Sequence, residues 1–517
     1  MAVRILGVVV DGISGVETTV EARYSDGLRV TEVKIVGLPD TAVREGMLRA
    51  RSATAALRRG VTTPAGVLVN LAPADVRKTG RSLDLPLAMV YAALHLGRSD
   101  ATSCGLVFVG EVGLGGAVRS VPGTLAAVME ARRAGRSGVV VPRANLAEAR
   151  LIAGPALYPV DTVEDAFRVL VGEAMADDGP RGPAAGATVS GPDLSDVRGQ
   201  HHARRALEVA AAGRHNLLME GPPGSGKTML ARRLPGILPP LADEEGLEVA
   251  RIQSVVRSLD VTRIHLPPFR APHHSATAVG LVGGGTPIRP GEFSQAHHGV
   301  LFMDEFPEFD RRALEVLREP MEERAVHITR ACGVRRFPAD FMLVAAMNPC
   351  PCGYQGLGDG RCSCTPRRVQ GYRGRLSGPL LDRLDMRIPL RPVPSAALLD
   401  DDVQGEPSAS VLARVVAARE RQRTRWPAVT GSNGQAPDAA VRSANAYSAS
   451  TKRLLLKLVT SQRLSARAIR RLERVARTVA DLAGDAAVGE LHLMEAMGFR
   501  LGGEMESRVE VETGRGS

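Results

Sequence analysis

Gly221-Pro-Pro-Gly-Ser-Gly-Lys-Thr228 follows a short apolar run at 216–219 and opens a helix that runs to about Leu234, just before Pro235. Strand, glycine-rich turn and helix in that order are the context a phosphate-binding loop requires. Gly221, Gly224 and Gly226, with Pro222, Pro223 and Ser225 between them, let main-chain N–H groups close around phosphate oxygens. In such a loop Lys227 reaches the β- and γ-phosphates of ATP and Thr228 is a ligand of Mg²⁺.

Three further segments belong to the same chemistry. VLFMDE at 300–305 is a buried-type strand that delivers two acids at its C-terminal end, where open α/β sheets hold their ligands. Asp304 is expected to hold the Mg²⁺ shell and Glu305 to polarise the attacking water. FMLVAAMN at 341–348 ends another apolar strand on Asn348, placed to orient water or sense the γ-phosphate. LSGPLLDRLD at 376–385 puts Arg383 near the end of a short helix, where a ring would turn it toward the next subunit's nucleotide.

Outward from this centre the chain divides. Residues 178–192 are rich in Gly, Pro and Ala and have little to bury. A polar stretch at 400–448 separates the central block from a C-terminal one with helical periodicity over 451–497. The N-terminal block mixes strand runs at 33–36, 66–69, 107–109 and 138–141 with helical stretches at 87–96 and 124–134. The organisation read from this is an α+β domain at 1–172, a linker at 173–192, a P-loop α/β core with a parallel sheet at 193–395, and a linker with a helical lid at 396–517.

Composition bounds the class. In 517 residues, hydrophobic and charged shares of 44% and 24% describe an ordinary globular protein. Aromatics at 3% argue against a broad base-stacking surface. A formal charge of +10 favours a polyanionic partner, though basic residues on solvated faces give the same sum. No run approaches the ~18 apolar residues of a membrane span, and six cysteines do not make a disulfide scaffold, so a cytoplasmic protein is expected.

The motifs together resemble the magnesium-chelatase-like AAA+ ATPases of the YifB/ComM type. They are VGLPDTAVRE at 36–45, LDLPLA at 83–88, the phosphate loop, FRAPHHSATAVGLVGGG at 269–285, RPGEFSQAHHGVLFMDEFPEF at 289–309, AAMNPCPCGY at 345–354 and LSGPLLDRLD. The resemblance implies a homohexameric ATP-driven ring, DNA as the polymer acted on, and, in the ComM branch, branch migration during transformation. It implies that Val197 and Gly199, in DVRGQ, pack near the adenine, that Arg383 is the arginine finger, and that Arg467, in LSAR at 464–467, is a second sensor. It also implies that the N-terminal block is Lon-protease-like. KTGRS at 78–82 resembles the Lon serine segment, but Val118 beside Arg119 stands where a lysine base would be needed, so no peptidase activity is expected.

Two segments carry chemistry outside the nucleotide site. Cys350, Cys352, Cys362 and Cys364 form two C-x-C pairs in an insertion at 350–364, and fit either a structural Zn²⁺ site or reduced thiols. Cys104 and Cys332 read as ordinary buried cysteines. In the segment beginning at Phe269, Arg270, His273, His274 and Arg289 are candidate DNA phosphate contacts, with a structural loop as the rival reading. Besides a DNA motor, the sequence is compatible with a chelatase-type motor subunit that drives a protein partner, or with a protein-remodelling ATPase.

Overall fold

The computed structural model describes residues 2–57, 65–98, 105–182, 191–330, 333–358, 360–393, 405–427 and 431–500. Cys104, Cys332, most of the low-complexity stretch after Gly182, and the C-terminal tail lie outside these residues.

The chain is mixed α/β, built on two large sheets. The central sheet has five parallel strands in the order Phe269–Arg270, Val300–Met303, Met342–Met347, Leu217–Glu220, Met386–Pro389. Both of its faces are covered, so its strands are continuous apolar runs: every residue of Val300–Met303 and of Met342–Met347 is buried. Asn216, at the entry to Leu217–Glu220, fastens three strands. Its Oδ1 accepts from Leu343 N at 2.9 Å, its carbonyl accepts from Asp385 and Met386 N, and its own N–H donates to Asp385 Oδ2 at 2.9 Å.

One face of this sheet shares a core with helices His201–Gly213, Ser408–Arg425, Ala466–Ala483 and Glu490–Gly498. Helix Ser408–Arg425 falls within the stretch expected to be a polar divider, and it corrects that reading. Its buried residues Val411, Val415, Ala418 and Gln422 make a stripe one side chain wide. A stripe that narrow leaves a mostly polar composition, and it packs on helix His201–Gly213.

The N-terminal sheet has seven strands in the order Val33–Val36, Gly66–Ala72, Ser14–Ser25, Ala2–Asp11, Leu106–Phe108, Gly138–Pro142, Ala156–Val160. Its centre is the long antiparallel hairpin of Ala2–Asp11 and Ser14–Ser25. Two of the motifs in this block are packing devices. Asp40 caps helix Thr41–Ala53 through Val43 N at 2.8 Å and also accepts from Gly80 N at 3.2 Å. Asp84, fully buried, accepts both Nε and Nη2 of Arg49, and burial pushes its carboxyl up to about 6 despite the guanidinium. Residues 173–182, expected to begin the linker, are pinned instead: Asp177 pairs with Arg150 at 2.5 Å, and Gly182 N donates to Arg150 O at 2.7 Å.

The two sheets are joined by more than a tether. Helix Asp243–Val256 presents Arg251, whose Nε donates to Ile13 O at 2.7 Å, and Ser254, which meets the buried Glu148 carboxylate. Arg335, on the hairpin Ala325–Arg330 and Gly333–Pro338, pairs with Asp11 at 2.6 Å.

Among the C-terminal helices, Asp481 is a fully buried carboxylate that accepts from Arg425 at 2.9 and 2.7 Å, Arg477 at 3.2 Å and Asn433 Nδ2 at 2.8 Å. Asp481→Ala leaves the buried Arg477 guanidinium without its counter-charge, and a loss of about 3–5 kcal/mol is expected. The chain's single tryptophan, Trp426, donates to Asn433 Oδ1 at 3.0 Å, so its fluorescence during urea unfolding reads this region directly. An unchanged urea midpoint would remove the network from the account of stability.

Candidate nucleotide-binding site

The site lies at the C-terminal ends of three neighbouring parallel strands. Strand Leu217–Glu220 ends at the glycine-rich loop, Val300–Met303 ends at Asp304, and Met342–Met347, between them, ends at Asn348. Register fixes the depth of each: Glu220 pairs with Met347, and Met303 with Ala345.

In the loop, Gly226 takes φ +89° immediately before helix Lys227–Arg233, a left-handed turn that glycine adopts without strain. Lys227 Nζ donates to Gly221 O at 2.6 Å, Pro222 O at 2.9 Å and Asn348 Oδ1 at 3.1 Å. Burial lowers the Lys227 ammonium from its ordinary value, against the opposing pull of Asp304 and Glu305. Thr228 Oγ1 donates to Asp304 Oδ2 at 2.6 Å, and Asp304 Oδ1 accepts from Glu305 N at 2.9 Å. A hydroxyl and a carboxylate side by side are the hard-oxygen donor set Mg²⁺ takes. Ser225 Oγ is buried and has no hydrogen-bond partner among the described residues, as suits a loop shaped for phosphate oxygens.

The remaining expected residues are placed more variously. Val197 is buried, and Gly199 takes φ +64° at the turn before helix His201–Gly213. Gln200, next to them, was missed by sequence reading. Its Nε2 donates to Ser225 O at 3.1 Å and to Arg391 O at 2.8 Å, tying this segment to the phosphate loop. Its position inside DVRGQ was the available signal. Arg383 is buried, donates to Pro379 O at 2.6 Å and pairs with Glu322 of its own chain. Arg467 is exposed in the first turn of helix Ala466–Ala483, whereas Arg471, a turn later, donates to Arg383 O and Asp385 Oδ1, both at 2.7 Å.

The segment after strand Phe269–Arg270 reaches the site by one residue. His274 Nδ1 lies 2.9 Å from Glu305 Oε2. Arg270 is committed to a bidentate pair with Glu292, 2.7 Å in both contacts, and is not a free cation. His273 bonds Ser275 Oγ at 2.8 Å, and Arg289 is exposed. The His273 and His274 rings lie 4.1 Å apart, tilted by 34°, and belong to none of the metal-capable clusters among the described residues. The cysteines do cluster: Cys350, Cys352, Cys362 and Cys364 have ligand atoms within 4.8 Å of one another.

In the KTGRS segment of the N-terminal block, Ser82 Oγ donates to Val8 O at 2.9 Å. Lys78 Nζ donates to Val76 O at 2.8 Å and to Pro73 O, so neither is directed at the other by these bonds.

The roles expected of Lys227 and Glu305 can be tested separately. Lys227→Ala is expected to abolish binding of a fluorescent ATP analogue. Glu305→Gln is expected to retain that binding and lower kcat by about 10²-fold or more. Equal loss of binding in both variants, in parallel titrations, would refute this division of roles.

Comparison with known proteins bears on the whole chain. Residues 193–398 match the family "Magnesium chelatase, subunit ChlI", 20–145 match "Subunit ChlI of Mg-chelatase" and 405–500 match "Magnesium chelatase, subunit ChlI C-terminal". The YifB protein of Salmonella typhimurium is 41% identical over 492 residues, covering 95% of each chain. Competence protein ComM of Haemophilus influenzae is 39% identical over 498 residues, again 95% of each. The magnesium-chelatase 67 kDa subunit of Chlorobaculum parvum is 28% identical over 202 residues, 39% of this chain and 27% of that one. With its nucleotide loop, acid pair and strand-end asparagine gathered at one sheet edge, and with these matches along its length, the chain belongs to the YifB/ComM family of magnesium-chelatase-like AAA+ ATPases.

Proposed function

We propose that this chain is an ATP-hydrolysing motor that assembles into a homohexameric ring and acts on DNA as a branch-migration helicase. The observation that carries the ATPase part is the meeting of Lys227, Thr228, Asp304 and Asn348 at adjacent strand ends. The DNA part is supported by similarity along 95% of the chain to a protein named for competence.

In this reading Gly221, Pro222, Pro223, Gly224, Ser225 and Gly226 cradle the phosphates of ATP, and Val197 and Gly199 line the base. Lys227 neutralises phosphate charge, and Thr228 and Asp304 hold Mg²⁺, which supplies charge neutralisation at the β- and γ-oxygens. Glu305 accepts a proton from the attacking water, and Asn348 orients that water. Arg383 and Arg467 act as finger and second sensor; for Arg383 this requires exchange of Glu322 for a neighbouring subunit's nucleotide. The C-terminal helices serve as the lid over the site, and the N-terminal block is Lon-like without peptidase activity, since Ser82 Oγ is engaged with Val8 O. His273, His274 and Arg289 are the loop residues offered to DNA, Arg270 holding the loop's base through Glu292. A structural Zn²⁺ on the four clustered cysteines completes the cofactors.

A partner-driven reading competes, favoured by the 202-residue similarity to the chelatase subunit and by the match of residues 193–398 to the magnesium-chelatase family. Steady-state ATPase distinguishes the two. Branched DNA is expected to stimulate turnover most, duplex and single strands less and casein not at all, with Glu305→Gln flat throughout and stimulation weakening as salt rises. Rates indifferent to every DNA form would reject the DNA motor in favour of a protein partner.

A further inference from the structure

The four-cysteine insertion is tied into the nucleotide site more closely than a surface staple needs to be. Cys350 Sγ lies 3.3 Å from Cys352 Sγ and 3.8 Å from Cys362 Sγ, and Cys352 and Cys362 are 3.7 Å apart. A tetrahedron with Zn–S bonds of about 2.3 Å has edges of about 3.8 Å, whereas a disulfide would hold two sulfurs at about 2.05 Å. Main-chain N–H groups of Tyr354, Cys364 and Cys352 are directed at the sulfurs of Cys352, Cys362 and Cys364 respectively. Such donors stabilise thiolate charge, and four thiolates this close repel one another unless a cation sits among them. Cys350 is fully buried, and the turn closing on it is fixed by Gly353 N donating to Cys350 O at 3.0 Å.

That turn rests on the phosphate loop. Gly353 has φ +87°, and a Cβ there would stand 2.5 Å from Pro223 Cδ and 2.7 Å from Pro223 Cγ. Cys350 also follows Asn348 by two residues, and Asn348 is bonded to Lys227. On its far side the insertion leads into helix Pro366–Arg373. Arg373 donates to Pro349 O at 3.2 Å and to Glu220 at 2.8 Å, the last residue of the strand that enters the phosphate loop.

We infer that Cys350, Cys352, Cys362 and Cys364 bind one Zn²⁺, and that this metal, by fixing the Gly353 turn against Pro223, holds the phosphate loop in its ATP-binding form. The coupling rests on the reading of the chain as an ATPase; the metal site does not. With the metal removed, the turn loses its anchor, Pro223 loses the surface it packs on, and Asn348 loses the restraint that keeps it on Lys227.

The test uses the full chain. Plasma mass spectrometry of protein from zinc-supplemented cells is expected to give one Zn²⁺ per chain, and Co²⁺ substitution to give a thiolate-to-cobalt charge-transfer band. The double variant Cys362→Ser/Cys364→Ser loses both signals, and its affinity for a fluorescent non-hydrolysable ATP analogue falls on the order of tenfold. Gly353→Ala serves as the second variant should the first fail to fold: it retains zinc yet loses affinity to a similar degree. Wild-type protein without zinc and without the cobalt band would overturn the site. Unchanged nucleotide affinity in the folded, zinc-free double variant, or in Gly353→Ala, would overturn the coupling. Lys227→Ala keeps its zinc while losing the nucleotide. A wild-type chain that binds zinc but no nucleotide overturns the ATPase reading and the coupling with it, and leaves the metal site standing.

Discussion

The 2.6 Å hydrogen bond from Thr228 to Asp304 depends on the register of strands that are not neighbours. Leu217–Glu220 and Val300–Met303 are separated by Met342–Met347, so the bond forms only if all three end level. Main-chain ladders set the spacing, and apolar side chains packed in a separate core on each face prevent a slip, because a one-residue shift would carry every side chain from one core into the other. Asn216, at the entry to Leu217–Glu220, ties that strand to Met342–Met347 through Leu343 and to Met386–Pro389 through Asp385 and Met386. The chemistry at one edge of the sheet is thus held by a polar clasp at the other.

The parts of the fold legible in the sequence were those in which local pattern and tertiary environment agree. The three strands that end at the site are short apolar runs ending in polar groups, and the observed strands Leu217–Glu220, Val300–Met303 and Met342–Met347 overlap the runs expected at 216–219, 300–305 and 341–348. Helix Ser408–Arg425 was not legible, because its buried stripe is single and its other faces are charged. The hairpin Ala2–Asp11 and Ser14–Ser25 was not read as strand either, since its alternation is weak: Val8 and Val9 are both buried. Of the site, the loop, acids and asparagine could be read because each lies at a strand end with fixed spacing. The partners Glu322 of Arg383 and His274 of Glu305 could not, since each lies far along the chain and reaches its partner only through the fold.

Charge illustrates the same limit. The excess of basic residues suggests a polyanion, yet much of the arginine in the C-terminal helices is spent within the chain. Arg425 and Arg477 face Asp481, Arg471 faces Asp385, and Arg474 faces Asp438. Such pairs hold helices together and offer little to a phosphate backbone, which needs cations facing solvent. Arg270 is withdrawn in the same way by Glu292. Net charge is therefore a poor guide to where a polymer would bind. The segment after Phe269–Arg270 leaves an edge strand of the nucleotide sheet, carries His273 and His274 within it, and sets His274 against Glu305. Any ligand that displaces the segment changes what the Glu305 carboxylate faces. Binding there and the environment of the Glu305 carboxylate are consequently not independent, whichever polymer or partner the loop meets.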